Sequence, residues 1–361
     1  MIALKKKILA ALAAGLIALG SFGVSDAATR EEVAAIQVKS ATDFKYWNED
    51  SPTKANIINF VEDAVNPFSA NYIPPEDRIA TFDMDGTFYC ETAPIYFQEI
   101  MFIHRVLEDP NYTAPKKWLD LAKKIKPKYY NKEKLTPAED KLHLEGLTAV
   151  YAGMTDEEYR AYVRDFMNDN ETGLTNLKRG EAFYLPMVEI ISYLGNNGFQ
   201  VYIDSACGVS TTRELVNGVI PIRYDRILGT DFNYTSTKMG KDSPENHFFD
   251  RNKEKIIISG KPLKDNAKTR KIFSILNQIG KKPVLAFGNS TGDSGMLEYT
   301  LQNNKYRSMS FFVICDDTER ELGNPTRAKS DTALALKRGW NPISMRDEFK
   351  TIYGDNVKRT K

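Results

Sequence analysis

Short, uninterrupted apolar runs recur along the chain, and a polar residue or a turn follows each of them. Four runs have the length and composition of buried strands, at residues 79–82, 201–203, 283–287 and 311–314. Between them, apolar residues at helical spacing predict helices over 187–194 and 266–279, each ending near a glycine. Strands that alternate with helices predict a Rossmann-like α/β fold, a parallel sheet with helices on both faces. Residues 231–260 predict a small β-hairpin extension.

The stretch between the first two predicted strands is too long for one crossover helix. It shows several helical patterns, the clearest beginning at Thr155, which forms a capping-box pattern with Glu158. Ligands of open α/β sheets bind at the carboxyl ends of the strands, so an insert after the first strand is expected to cover that site as a cap. The predicted divisions are a helical lead-in over 28–75, a core over 76–90 and 183–361, and a helical cap over 91–182.

The N-terminal residues have the pattern of an export signal. Three lysines at 5–7 precede an apolar segment over 8–24, and Ser25 and Ala27 are small residues suited to a cleavage site. An uncleaved anchor is the alternative, but the segment is short and interrupted by glycines. We therefore predict a signal peptide over 1–27 and a periplasmic or secreted protein, with no stable membrane insertion after cleavage.

Composition narrows the classes of function. The 361 residues are 42% hydrophobic and 27% charged, as in soluble globular proteins. A net charge of +1 gives no global field for nucleic acid, and the lysine-rich stretch over 116–134 is interpreted as a solvated helix face. The cysteines, three in number and widely spaced, indicate neither a disulfide framework nor a zinc site; one bridge or three thiols stay open. The three histidines are scattered and are expected to be structural or exposed.

Two acidic residues follow the first predicted strand directly. Asp83 and Asp85 flank Met84, and residues two apart on a strand share a face. Carboxylates so close repel each other unless a cation or a shared proton intervenes. A solvated Asp-Gly turn is the alternative, but the buried apolar run that leads into the pair argues against it.

Further polar residues follow the later strands. Ser205 comes after the second strand, Lys268 lies early in a helix, and Asn289 and Asp293 follow the third strand. A carboxamide and a carboxylate at that spacing suit a hard cation. Alone, each is an ordinary cap, a solvated lysine or a polar loop. Because all of them fall at strand ends or at the next helix start, we expect them to meet in one crevice.

Taken together, these residues resemble the motifs of a known family. The runs FDMDGT (82–87) and FGNSTGD (287–293), with Ser205 and Lys268, are similar to the four motifs of haloacid-dehalogenase-superfamily phosphatases. The resemblance is to the phosphoserine-phosphatase-like branch and to secreted phosphorylcholine-phosphatase-type enzymes, and it covers roughly residues 76–320. The first and fourth motifs are specific, whereas the second and third are assigned by order and spacing.

The resemblance implies a role for each position. Asp83 would be the nucleophile that forms an aspartyl phosphate, and Asp85 the general acid and base. Thr87 would orient Asp85, while Ser205 and Lys268 would bind the phosphoryl oxygens. The expected product is inorganic phosphate, released from a small-molecule phosphomonoester.

The resemblance also implies a magnesium ion. Its ligands would come from Asp83, the backbone carbonyl of Asp85 and Asn289, with Asp293 as a further ligand or a partner of one. A phosphate that approaches an ionised carboxylate is repelled, by about 4 kcal/mol for two unit charges 4 Å apart at a dielectric of 20. A divalent cation and one lysine reverse that sign.

Three positions depart from the family pattern or compete for a role. Asn289 stands where the family has an acidic residue, and Asp204 stands where it has an apolar one. Asp204 is either a buried, partnered carboxylate or an extra polar group near the site. Lys261 and Lys271 compete with Lys268, which is preferred because its twelve-residue step to the glycine at 280 fits the branch.

The substrate is left open by the sequence. Tyr89 and Tyr96 either line a pocket or pack in the interior of the insert, and phosphoserine, phosphocholine and broad specificity are all compatible with the motifs. A non-catalytic protein that binds a phosphate ligand is the principal alternative to a phosphatase, and a phosphomutase is a further one.

Overall fold

The computed structural model describes residues 27–131, 133–262 and 265–360. The predicted signal peptide lies outside these residues, apart from Ala27. Within the same ranges, none of the helices combines the length and the apolar character that a membrane crossing requires.

The strands and helices alternate along most of the chain. The strands are β1 (Ile79–Phe82), β2 (Gln200–Gly208), β3 (Ile227–Thr230), β4 (Tyr234–Ser236), β5 (Ile256–Ile258), β6 (Leu285–Gly288), β7 (Met309–Ile314) and β8 (Asn341–Ser344). The α-helices are α1 (Arg30–Ala34), α2 (Pro52–Val65), α3 (Phe97–Leu107), α4 (Lys116–Tyr130), α5 (Pro137–Ala149), α6 (Asp156–Phe166), α7 (Leu185–Asn196), α8 (Val209–Val216), α9 (Thr269–Ser274), α10 (Ser294–Leu301), α11 (Pro325–Arg338) and α12 (Met345–Glu348). A π-helix at Ile275–Ile279 extends α9.

The main sheet has six strands in the order β3-β2-β1-β6-β7-β8, and all its neighbouring strands are parallel. Strand β1 lies in the middle, and all four of its residues are buried. The chain runs outward from β1 on one side through β2 and on the other through β6, which makes the carboxyl end of β1 a topological switch point. The predicted fold class, a parallel α/β sheet flanked by helices, is confirmed.

Aromatic stacking fixes the register of the central strands. Phe82 lies opposite Ile203 of β2 and Phe287 of β6. The rings of Phe82 and Phe287 stack at 4.2 Å between centroids, and those of Phe287 and Phe311 at 4.8 Å. Because the register is set there, the residues that follow Phe82, Ile203 and Phe287 emerge side by side at one edge of the sheet.

The two edge strands of the main sheet, β3 and β8, were not predicted, and their composition explains why. Strand β8 contains Pro342, which is compatible with its position at the edge of the sheet because proline cannot donate a backbone hydrogen bond. Strand β3 has only four residues, one of them Gly229. The predicted extension is present as β4 and β5, which pair antiparallel.

Five α-helices, α3 to α7, lie between β1 and β2 within the described residues, and the first four fall in the predicted insert. Helix α6 begins after Thr155, whose side chain and that of Glu158 form the predicted capping box. Helix α3 packs against α4 and α5, and α6 packs against α8 of the sheet layer. The lead-in contains α1 and α2, joined by a segment with a single short 3-10 turn.

Candidate active site

The chain turns sharply where β1 ends. The amide of Asp83 still donates to Phe287 O at 2.8 Å, so this residue continues the sheet ladder. The amides of Thr87 and Phe88 then donate to Met84 O at 3.0 and 3.1 Å. Gly86 adopts φ +78°, and a Cβ there would lie 1.9 Å from the Asn289 carboxamide nitrogen. Glycine is therefore required at position 86, both for the turn and for the close approach of the β6 loop.

A buried lysine joins the first and fourth motifs. Lys271 Nζ donates to Asp83 Oδ1 and to Asp293 Oδ1, each at 2.7 Å, and also to the Asp204 carbonyl. The residue is 1% exposed. Burial alone would lower the pKa of Lys271, but the carboxylates of Asp293, Asp83 and Asp204 raise it above its ordinary value. The ammonium is therefore a permanent charge between the two motifs.

This geometry corrects the choice of lysine made from the sequence. The side chain of Lys268 is exposed, whereas its backbone occupies φ +56° and its amide donates to Gly292 O. Helix α9 begins only at Thr269, so Lys268 precedes the helix and Lys271 lies in its first turn, facing the sheet. Lys271, one of the two competing candidates, is the lysine that reaches Asp83. Lys261 is exposed and does not line the cavity that contains Asp83.

Asp293 anchors the loop that follows β6. Its Oδ2 accepts hydrogen bonds from the amides of Asn289 and Ser290, at 3.0 and 2.9 Å, and from Ser290 Oγ at 3.3 Å. Its Oδ1 accepts from Lys271. Because both oxygens are engaged, the arrangement suits a residue that positions the loop and the lysine better than a direct metal ligand.

Asp85 is buried beside Asp83, and its Oδ1 has no hydrogen-bond partner among the described residues. Burial, followed by the carboxylates of Asp83 and Glu91, raises the pKa of Asp85 well above its ordinary value. A protonated Asp85 is therefore favoured, as a proton donor requires. The hydroxyl of Thr87 is buried and likewise has no partner in the described ranges, so its orienting role stays a prediction.

At the end of β2, Ser205 and Asp204 occupy different environments. Ser205 lines the pocket, and its Oγ accepts from the amide of Cys207 at 3.1 Å. Asp204 is fully buried, and its Oδ1 accepts from Asn266 Nδ2 at 2.7 Å while its Oδ2 has no partner among the described residues, so it is a buried carboxylate with one oxygen partnered. Asn266 Nδ2 also donates to Ser205 O at 3.0 Å. Asn266 therefore ties both residues to the segment before α9, a role that nothing in the sequence indicated.

These side chains meet in one cavity of about 240 Å³. It is lined by Asp83, Asp85, Tyr96, Gln98, Glu99, Leu144, Ser205, Ala206, Cys207, Asp265, Ala267, Lys271, Asn289, Ser290, Gly292 and Asp293. The α3 and α5 side of the insert thus closes the cavity opposite the strand ends. Tyr96 lies in this lining, whereas Tyr89 is buried against Phe97 and Phe183 and is a packing residue.

The charged groups around Asp83 shift its pKa in opposite directions. Burial and, after it, the Asp293 carboxylate raise the pKa of Asp83 to about 7, although Lys271 acts in the opposite direction. A second positive charge near Asp83 would therefore favour its ionised form, which is the form in which a carboxylate can act as a nucleophile.

The residues present suit a hard divalent cation. Asp83, the Asp85 carbonyl and the Asn289 carboxamide are oxygen donors of the kind that magnesium prefers. The unpartnered Oδ1 of Asp85 leaves a buried acceptor without a donor in this region. Within the described residues, no three His, Cys, Asp or Glu side chains form a metal-binding cluster, so a cation at this place would also need the carboxamide and the backbone carbonyl as donors.

No family model and no curated protein matches the chain. The chain is similar to the solved structure of a conserved functionally unknown protein from Anaerococcus prevotii DSM 20548, at 15% identity and TM-score 0.48, covering 85% of this chain and 94% of that one. It is also similar to cytosolic 5'-nucleotidase IIIB bound to cytidine, at 10% identity and TM-score 0.46, covering 81% and 86%. A third is a phosphoserine phosphohydrolase-like protein from Francisella tularensis subsp. tularensis SCHU S4, at 13% identity and TM-score 0.34, covering 66% and 87%. The last two are haloacid-dehalogenase-superfamily proteins. At such identities the likeness concerns the fold alone.

Proposed function

We propose that the chain is an exported, magnesium-dependent phosphomonoester hydrolase that forms an aspartyl phosphate on Asp83. The observation that carries the proposal is the bridge from Lys271 Nζ to Asp83 and Asp293, at 2.7 Å each, beside the buried Asp85. A nucleophile, a proton donor and a fixed cation in one cavity are the parts that phosphoryl transfer requires.

Each side chain has a defined task in the first half of the reaction. Lys271 holds Oδ1 of Asp83, which orients the carboxylate and leaves its other oxygen for attack on phosphorus. A bond forms between Asp83 and phosphorus while the bond from phosphorus to the leaving oxygen breaks. Asp85 transfers its proton to that oxygen, so an alcohol leaves instead of an alkoxide.

Hydrolysis restores the starting state. The Asp85 carboxylate removes a proton from a water molecule, whose oxygen attacks phosphorus as the bond to Asp83 breaks. Inorganic phosphate leaves, and Asp85 is protonated again. Lys271 and the Ser205 hydroxyl would bind the phosphoryl oxygens, since both line the cavity. Magnesium held by Asp83, the Asp85 carbonyl and Asn289 would offset the negative charge of the phosphoryl group and of the carboxylate.

The experiment is phosphate release by the mature protein from a nitrophenyl phosphate with magnesium, and then from a panel of alkyl phosphates. We expect Asp83→Asn to reduce kcat by at least about 10⁴-fold, because the nucleophile is lost. Asp225→Asn, which changes an exposed carboxylate that pairs with Arg223, is the matched control and should keep full activity. Undiminished turnover by Asp83→Asn would refute the mechanism.

A protein that binds a phosphate ligand without turnover is the second candidate. It is favoured by the carboxamide of Asn289, which brings less charge to a cation than a carboxylate does. This function would show as a rise in melting temperature with magnesium and a phosphomonoester, while no phosphate is released from any member of the panel.

A further inference from the structure

Glu91 is a buried carboxylate that the proposed reaction does not use. It is 4% exposed and follows the turn after β1. Its Oε1 accepts hydrogen bonds from Arg327 Nη2 at 3.0 Å and from the Tyr96 hydroxyl at 3.1 Å. Its Oε2 is buried and has no hydrogen-bond partner among the described residues. An acceptor in that state loses its hydration and gains nothing in return, unless a ligand completes it.

The unpartnered oxygen of Glu91 lies beside the turn that carries Asp85, whose carbonyl is one of the expected magnesium ligands. A Cβ on Gly86 would lie 3.1 Å from Glu91 Oε2 and 1.9 Å from Asn289 Nδ2. The two side chains therefore converge on the same point of the turn. Asp85 precedes Gly86 and also has an unpartnered buried oxygen, and the negative charge of Glu91 contributes to the raised pKa of Asp85. Glu91 Oε2 and Asp85 Oδ1 are thus two buried acceptors without donors among the described residues, at a turn that the Asn289 carboxamide approaches.

We propose that Glu91 supplies the negative charge that a neutral Asn289 does not bring to the magnesium site. The inference rests on the proposed magnesium-dependent function. Arg327 and Tyr96 fix Oε1, so Oε2 is held toward Gly86 and Asn289 without the need to order a flexible side chain. Glu91 acts here as a positioning and charge-balancing residue, since Asp83, the Asp85 carbonyl and Asn289 already account for the expected ligands.

A purely structural role for Glu91 makes a different prediction. Its ion pair with Arg327 also attaches the start of α11 to the turn. If this ion pair were the whole role of Glu91, removing Glu91 or Arg327 would change magnesium affinity to the same extent. Arg327→Gln removes the ion pair and keeps the carboxylate, so it is the matched control. Asn289→Asp returns a carboxylate to the neighbouring position and tests whether the two charges are interchangeable.

The experiment is isothermal titration of the mature protein with magnesium chloride alone, without substrate. We expect Glu91→Gln to raise the Kd for magnesium about 10- to 100-fold, as for partners that support metal ligands. Arg327→Gln should leave the Kd within about twofold of wild type, and Asn289→Asp in the Glu91→Gln background should restore most of the affinity. If Glu91→Gln unfolds because Arg327 is left unpaired, the double variant Glu91→Gln/Arg327→Leu removes both charges and carries the same expectation.

The outcomes separate this inference from the function on which it rests. An unchanged Kd in Glu91→Gln, or an equal weakening by Arg327→Gln, overturns the role of Glu91 alone. Failure of Asn289→Asp to restore affinity does the same. A wild-type protein that binds no magnesium overturns both the metal-dependent function and this inference.

Discussion

The floor of the cavity, formed by Asp83, Lys271 and Asp293, differs from its cap-side wall, formed by Tyr96, Gln98, Glu99 and Leu144 on and beside α3 and α5. Asp83 and Asp293 follow β1 and β6, neighbouring strands whose Phe82 and Phe287 rings stack, and Lys271 reaches them from α9. Lys271 is shared by the two carboxylates of the floor and offsets only one of their charges. The wall comes from the helical insert, and its one acidic side chain, Glu99, is paired inside the insert.

This difference separates two tasks. A floor whose charged groups are held by a strand end, a helix and direct hydrogen bonds can keep reacting atoms in place, as the proposed phosphoryl transfer requires. A wall on separate helices can change without disturbing that geometry. We therefore expect changes in the floor to affect every substrate, and changes in the wall to affect the choice of leaving group and the stability of the insert.

Replacement of Asp85, the proposed proton donor, should give the largest effect that depends on the substrate. Asp85→Asn removes the proton but keeps the size of the side chain, so the leaving group has to depart as an alkoxide. We expect kcat to fall about 10²- to 10⁴-fold for alkyl phosphates and much less for a nitrophenyl phosphate, whose leaving group needs no proton. The comparison of the two substrates with one variant is the measurement. An equal loss for both would show that Asp85 has a different task.

Exchange of the lysine should give the next largest effect. Lys271→Met leaves Asp83 and Asp293 facing each other without the ammonium, so kcat/KM should fall about 10²- to 10³-fold for every substrate. Lys268→Met is the matched control, because that side chain is exposed, and it should retain activity. Circular dichroism would establish the temperature at which Lys271→Met is still folded. The opposite ranking of the two variants would restore the lysine chosen from the sequence.

The strand ends were predictable because a buried apolar run followed by a polar residue is a local pattern. Asp83, Asp85, Ser205, Asn289 and Asp293 all line the cavity as expected. The identity of the lysine that reaches Asp83 was not predictable in this way, because it depends on where a short helix begins. The left-handed conformation of Lys268 and the start of α9 at Thr269 move the inward-facing position by three residues.

The wall was harder to predict, since it depends on tertiary packing of the insert. The sequence indicated several helices there but gave no signal for which faces meet the strand ends. Tyr89 and Tyr96 lie in the same short segment after β1, yet only Tyr96 lines the cavity. The roles of Glu91 and Asn266 were hard to predict for the same reason. They rest on contacts with α11, β2 and α9 rather than on a local sequence pattern.

The smallest predicted effect concerns the pH dependence of stability in the wall. Glu99 Oε2 lies 2.9 Å from His143 Nε2. Burial, together with Asp140 and Asp265, raises the pKa of Glu99 from 4.5 to about 8, and burial lowers the pKa of His143 from 6.5 to about 4. Between pH 4.5 and 6.5 the folded pair and the unfolded chain therefore each hold about one proton, so the pair adds no pH dependence there.

Above pH 6.5 the folded and unfolded states no longer hold the same number of protons. From pH 6.5 to 8 the unfolded groups hold almost no proton while folded Glu99 still holds one, so stability falls as pH rises. The expected loss is about 1–2 kcal/mol in the free energy of unfolding. Glu99→Gln should abolish it, whereas Glu108→Gln, a change in an exposed cap carboxylate, should not. Urea denaturation of the three proteins at both pH values measures the difference. Parallel pH profiles for wild type and Glu99→Gln would mean that Glu99 is ionised in the folded wall, which would then present a negative charge to the leaving group.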